Sequence, residues 1–226
     1  MTAQAGGAIP FPSRPADRMA QPTAEVRATR RRLRDMRLAL TAATRSAADR
    51  TIRATLERLG VFRRDAHVAL YLPMRGEVDL RPCLGVARRR GTRVYVPRIA
   101  SCRRRHMLFA PWTAGSAHRT NAFGIVEPGS AAGARPVIGL DVVVLPVVGF
   151  DRLGNRLGMG AGYYDRALRR RLGRTGWRRP RLIGVAYACQ QLPVIPASPW
   201  DVPLDLVVTE HGVIVPGRNP TERTRK

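Results

Sequence analysis

The run Leu140-Asp141-Val142-Val143-Val144-Leu145-Pro146 is the clearest strand in the sequence. Consecutive valines favour extended backbone, because a β-branched side chain is stiff at χ1 and packs well on a pleated surface. The run is apolar at successive positions, so both faces of the strand are expected to be covered, as in parallel sheets. Working outward, His67–Pro73 (HVALYLP), Arg93–Pro97 (RVYVP), Leu182–Tyr187 (LIGVAY) and Leu204–Val208 read as further strands. Helical stretches at Leu80–Arg90 and Asp165–Leu172 separate them. Strands alternating with helices predict an α/β fold: one three-layer α/β/α domain with a mostly parallel, Rossmann-like sheet. The segment Ser101–Pro136 is less regular and holds a short antiparallel piece at His106–Ala110.

Upstream, Leu33, Met36, Leu40, Ala43 and Ala47 recur at steps of three and four, which predicts one helical face. Arg30, Arg34 and Arg37 share an adjacent face. A second helical stretch runs through Ile52, Leu56 and Leu59 and stops at Gly60. Residues 1–23, rich in Ala, Gly and Pro, read as a disordered leader. The folded domain is expected over 24–216, with a loose polar tail at 217–226.

The chain has 226 residues and carries 40 Lys+Arg against 16 Asp+Glu, a formal net charge of +24. Its one lysine is Lys226; every other cation is arginine. Hydrophobic residues make up 44%, too many for wholesale disorder. No stretch approaches the roughly 18 apolar residues of a membrane span. The cysteines, Cys83, Cys102 and Cys189, show no paired or zinc-binding spacing. Their reduced state and the proline-broken N-terminus make a cytoplasmic location the expectation. The histidines, His67, His106, His118 and His211, also lack metal spacing and read as structural or exposed.

The string after the valine strand carries the chemistry. Gly158, Gly160 and Gly162 stand at alternate positions between a strand and a helix. Glycines there permit positive φ and let backbone N–H groups close on an anion. The following helix start favours a phosphate, and Arg156 adds a fixed cation. Asp165 reads either as the cap of that helix or as a magnesium ligand beside bound phosphates. The string is neither a Walker loop nor a dinucleotide fingerprint.

The string Arg156–Arg166 (RLGMGAGYYDR) resembles the ATP-binding signature of the 5-formyltetrahydrofolate cyclo-ligases. Other pieces resemble that family in order. Arg30-x-x-Leu33-Arg34 is similar to its N-terminal ATP-contacting element, with arginine at position 30 where lysine is usual. Leu72–Glu77 (LPMRGE) resembles its folate-binding strand end, and Gly124–Pro128 (GIVEP) its GIxEP element. Asp201–Asp205 (DVPLD), with Thr209 and Glu210, resembles its C-terminal segment. Ala161 stands where glycine or lysine is usual.

The resemblance implies ATP-driven cyclisation of 5-formyltetrahydrofolate to 5,10-methenyltetrahydrofolate. The formyl oxygen attacks the γ-phosphate, the second folate nitrogen adds to the activated carbon, and phosphate leaves, with ADP as the other product. It implies ATP contacts from Arg30, Arg34, Arg156, Leu157, Gly158, Met159, Gly160, Ala161, Gly162, Tyr163 and Tyr164. It implies folate contacts from Leu72, Met74, Glu77 and Tyr163, Mg2+ on Asp165 and Asp205, and catalytic roles for Arg156 and Asp165. On the residues alone, Glu77 is equally a solvated loop acid paired with Arg75.

A second class of function is an arginine-rich nucleic-acid binder. Its arginine runs are scattered between elements, aromatics are only 6%, and no RNA-binding signature appears. The arginine excess reads instead as compositional bias that steers small polyanions. The expected partners are therefore ATP and a reduced folate, with no membrane and no nucleic acid, and the expected state is a monomer. A non-catalytic folate- or nucleotide-binding member of the same family is the other reading.

Overall fold

A computed structural model describes residues 23–74, 76–101, 106–113, 115–122, 124–171 and 179–217. Residues 1–22 and 218–226 lie outside this set, and with them almost all of the expected leader and tail. In chain order the described elements are α1 (Ala24–Ala39), α2 (Ala42–Arg58), β1 (His67–Ala69), α3 (Arg81–Arg89), β2 (Arg93–Ser101), β3 (His106–Pro111), β4 (His118–Thr120) and β5 (Val126–Pro128). There follow β6 (Val142–Pro146), β7 (Gly149–Phe150), β8 (Arg156–Leu157), α4 (Tyr163–Leu168), β9 (Arg181–Val185), β10 (Leu206–Thr209) and β11 (Gly212–Ile214).

Seven strands form one sheet in the order β11-β10-β9-β6-β1-β2-β3. The inner five are parallel, and the edge strands β11 and β3 pair antiparallel with β10 and β2. The mostly parallel α/β sheet is the expected one, and the piece at His106–Ala110 is its antiparallel edge.

Burial explains the apolar runs. Val142 and Val144 point to one face, where Ile52, Leu56, Cys83 and Ala87 bring α2 and α3 onto the sheet. Val143 and Leu145 point to the other face, toward Phe109, Val137 and Leu168. Successive strand side chains alternate between faces, so a strand covered on both sides must be apolar at every position. Each Val, Leu, Ile or Phe among them contributes about 1.5–3 kcal/mol by leaving water.

The N-terminal helix differs from its expectation. Leu40 turns to extended backbone (ψ 133°), and Thr41 starts a new helix by accepting the Thr44 N–H. Of the face read through Leu33, Met36, Leu40, Ala43 and Ala47, Leu33 is buried and Leu40 half-buried, whereas the other three are exposed; Arg37, from the adjacent face, is buried instead. Thr23, placed in the leader by composition, caps α1 by accepting the Val26 N–H. Helix α1 does not lie on a sheet face. Leu33 packs with Val148, Leu157 and Ile195, beyond the carboxyl ends of the strands.

The chain leaves β1 for β2 on one side, whereas β6, β9 and β10 follow on the other. The crevice between β1 and β6 is therefore the point where strand order reverses, the usual ligand position in an open parallel sheet.

Candidate active site

A cavity of about 340 Å³ opens at that crevice. Tyr71, Leu72 and Met74 reach it from the end of β1, and Leu145, Pro146, Val147 and Val148 from the end of β6. The sharp geometry of the β6 exit is held by Gln190. Its buried amide donates to the carbonyls of Val147 (2.7 Å) and Val148 (2.9 Å).

The glycine string forms one wall. Arg156, Gly158, Met159, Gly160, Ala161, Gly162, Tyr163, Tyr164 and Asp165 all line the cavity. Leu157 turns away into the core beneath α1. Only two of the three glycines need their freedom: φ is +96° at Gly160 and +71° at Gly162, while Gly158 lacks positive φ. Ala161 also lacks positive φ, so alanine fits that position without strain. The helix behind the string, α4, spans six residues rather than the eight expected, which limits the field at its N-terminus.

Upstream of the string, Asp151 is fully buried and accepts four N–H groups: those of Leu153, Asn155 and Ile195 and the Asn155 side-chain amide, all at 2.9 Å. This knot fixes the turn that launches β8 and Arg156. The Arg156 guanidinium then donates to Asp165 and to the Val202 carbonyl.

Arg30 reaches the loop from α1. Its Nε donates to the Gly158 carbonyl at 2.8 Å, and its guanidinium covers Gly160. Burial, then the like charge of Arg34, lowers the Arg30 pKa, with Asp165 opposing. Arg34 stands one turn further along α1 and is half-buried.

Glu77 also lines the cavity, with a side chain only 6% exposed. Its Oε2 accepts the Met74 N–H at 2.9 Å, and its Oε1 lies 3.8 Å from Arg37 Nη1. Its ion pair is thus with the buried Arg37; Arg75 lies outside the described residues. Burial raises the Glu77 pKa, against the Met74 N–H and Arg37. Burial and then the Glu77 charge push the hydroxyls of Tyr71 and Tyr164 above the ordinary tyrosine range.

Asp205 is not brought to this site. It precedes β10, at the amino end of the strands, and binds Arg171 Nη2 (2.6 and 2.7 Å) and the Leu182 N–H (2.7 Å). Its carboxylate holds the turn after α4 to the sheet, so the donor set there does not suit a metal beside Asp165. Among the described residues no three His, Cys, Asp or Glu side chains gather to hold a metal. A magnesium ion carried by one carboxylate, phosphate oxygens and water needs no such cluster, and Asp165, which lines the cavity beside the glycine string, is a carboxylate of that kind.

Contributors that escaped the sequence reading include Arg37, through Glu77, Tyr71, and the β4–β5 hairpin, which brings Asn121, Ile125, Val126 and Glu127 to the cavity. The GIVEP string was the available signal for the last. The histidines stay outside: His67 bonds Tyr95 at the amino end of the strands (2.8 Å). Cys83 is buried, which pushes its thiol up to about 12. No described helix is long and apolar enough to cross a membrane.

Residues 22–210 match the 5-formyltetrahydrofolate cyclo-ligase family. The chain is 33% identical over 183 residues to the 5-formyltetrahydrofolate cyclo-ligase of Haemophilus influenzae, covering 79% of this chain and 95% of the relative. It is 36% identical over 149 residues to the Escherichia coli K12 enzyme of the same name, covering 65% and 79%. Among solved structures, the 5,10-methenyltetrahydrofolate synthetase of Aquifex aeolicus superposes with a TM-score of 0.72 at 29% identity, over 88% of this chain and 98% of the other.

Proposed function

The chain belongs to the 5-formyltetrahydrofolate cyclo-ligase family, and from that premise we propose how its residues carry out the ATP-dependent conversion of 5-formyltetrahydrofolate to 5,10-methenyltetrahydrofolate. One observation supports the assignment most: the phosphate-type loop with Arg30 and Arg156, and the buried acceptor Glu77, face one cavity. ATP phosphates rest on the loop between Gly158 and Gly162. Arg30, Arg34 and Arg156 neutralise them, since arginine is a planar donor suited to phosphate oxygens. Loops of this kind catalyse phosphoryl transfer chiefly by positioning and charge neutralisation.

The reduced folate lies toward Leu72, Met74 and Tyr163. Glu77 accepts a single N–H bond among the described residues, so its carboxylate retains acceptor capacity for donors of the folate. Apolar walls from Leu145, Val148 and Ile125 exclude water from the formyl oxygen and the phosphate it attacks. Asp165 is the residue that holds Mg2+, which, when bound, neutralises charge developing on the transferred phosphate. Arg156 orients the Asp165 carboxylate. The same reading takes the enzyme to be a cytoplasmic monomer with no nucleic-acid role.

The test is incubation with ATP, magnesium and 5-formyltetrahydrofolate, following the near-ultraviolet absorbance of the methenyl product. Product formation that requires all three supports the assignment. A folded protein that yields none at high concentration overturns it.

A further inference from the structure

Two glutamates line the cavity, and they are bonded in opposite ways. Glu77 accepts one N–H bond among the described residues. Glu127, only 1% exposed, accepts four: Ile99 N–H (3.0 Å) and Asn121 Nδ2 (3.2 Å) on Oε2, and Arg119 Nε (2.9 Å) and Nη2 (2.7 Å) on Oε1. A carboxylate offers about four acceptor positions. Glu127 has therefore spent its capacity on the protein, although it forms part of the cavity wall. Burial acts to raise its pKa, but the bonds from Ile99, Arg119 and Asn121 outweigh that and hold it below the usual glutamate range.

These bonds join separate pieces. Ile99 belongs to β2, Arg119 to β4 and Glu127 to β5, and β4–β5 form a two-stranded sheet of their own. A two-stranded ribbon is marginal alone in water, so its placement depends on what fastens it. Arg98 Nε adds one bond, to the Pro128 carbonyl at 3.1 Å. The fastened hairpin presents Ile125 and Val126 to the cavity.

Its position decides which substrate it faces. Strand β2 pairs with β1, and β1 with β6, which leads to the glycine loop. The hairpin docks on β2, two strand spacings or about 10 Å from β6. Phosphates on the loop leave that wall to the folate.

We infer that Glu127 is a positioning residue for the reduced folate: it fastens the β4–β5 hairpin to β2 and so holds Ile125 and Val126 as one wall of the folate subsite. The inference rests on the assignment of the cavity to folate and ATP made above. Glu127→Gln in the full chain puts an amide N–H against existing donors. The expected result is a rise of about tenfold or more in KM for 5-formyltetrahydrofolate, with KM for ATP within about twofold. Amide hydrogen exchange across 118–128 should quicken while the parallel strands are unchanged. Arg119→Gln leaves the carboxylate and two of its bonds in place, and its side chain is 51% exposed; it should show the same pattern at smaller size, and serves if Glu127→Gln does not fold. Parallel rises in both KM values, a fall in kcat alone, or unchanged hairpin exchange in Arg119→Gln would overturn the inference. A wild-type protein that forms no product overturns the underlying reading, and this inference falls with it.

Discussion

Arg156 and Asp165 close the glycine loop on itself: the guanidinium at its start binds the carboxylate in the first turn of α4 and, with a second nitrogen, the Val202 carbonyl. The residues between are thus held at both ends before any ligand arrives. Such preorganisation matters because donors already in place need no rearrangement as charge develops on the phosphate.

The first prediction concerns that pair. Asp165→Asn keeps the shape but removes the charge. We expect kcat to fall about 100-fold or more. Activity of this variant should also need a higher magnesium concentration, read by titrating the metal at fixed ATP. Wild-type turnover with an unchanged magnesium requirement would remove Asp165 from the metal's coordination.

The loop glycines make a second, paired prediction. A Cβ on Gly160 would stand 3.3 Å from the Arg30 guanidinium on a backbone at φ +96°, whereas one on Gly158 meets nothing within 4 Å. Alanine in a left-handed position costs about 1–2 kcal/mol, or roughly 2–8 °C in Tm for a chain of this size. Gly160→Ala should show that loss with weaker ATP binding; Gly158→Ala should melt like the wild type. Equal melting temperatures for the two variants would contradict the geometry.

Arg30 carries the third. Its Nε is committed to the Gly158 carbonyl, which leaves the terminal nitrogens for phosphate. A lysine carries its three N–H donors on one nitrogen and lacks the spaced planar fork that lets Arg30 hold the carbonyl with Nε while its terminal nitrogens point elsewhere. Arg30→Lys should therefore raise KM for ATP modestly, and Arg30→Ala by about tenfold or more, with KM for the folate little changed. Initial rates with each substrate varied in turn decide it; an equal effect on both would sink the assignment.

Much of this was legible in the sequence, and the reasons differ by element. The valine strand declared itself because burial on both faces demands apolar residues at every position. The glycine string was legible because it is local: the residues that form one wall of the cavity all lie between Arg156 and Asp165. Arg37 was not. It reads as one more arginine on a basic helix, and the partner that justifies its burial, Glu77, lies forty residues away and meets it only through the fold. Asp205 failed for the converse reason. An aspartate in a matched segment suggested a metal, but it stands where β10 begins, at the end of the sheet opposite the cavity, and Arg171 claims it. The break at Leu40 did carry a signal, the Thr41 cap, hidden inside a continuous three-four periodicity.

Glu77 predicts a pH effect. Burial raises its native pKa above the unfolded value, so between the two the native state retains a proton that the unfolded chain has released. Its contribution to stability is therefore full below the unfolded pKa and is lost as pH rises through the folded one. Folate binding should move the opposite way, strengthening as the carboxylate ionises. In Glu77→Gln both slopes should flatten over that window, read as Tm and folate KM against pH. Identical pH profiles for variant and wild type would exclude Glu77 as the titrating group.

The last prediction separates the loop's support from its chemistry. Asp151 does not line the cavity described above, yet its four N–H bonds shape the turn that launches Arg156. In Asp151→Asn one oxygen becomes an N–H donor facing other donors, and each buried group left unsatisfied costs about 1–3 kcal/mol. Tm should drop by roughly 5–10 °C. Because Arg156 is then held less firmly, kcat should fall at temperatures where the variant is still folded, while KM for the folate, which the proposal assigns to other residues, stays close to wild type. A stability loss with kcat preserved would confine Asp151 to the scaffold and break the proposed link between that turn and the phosphate loop.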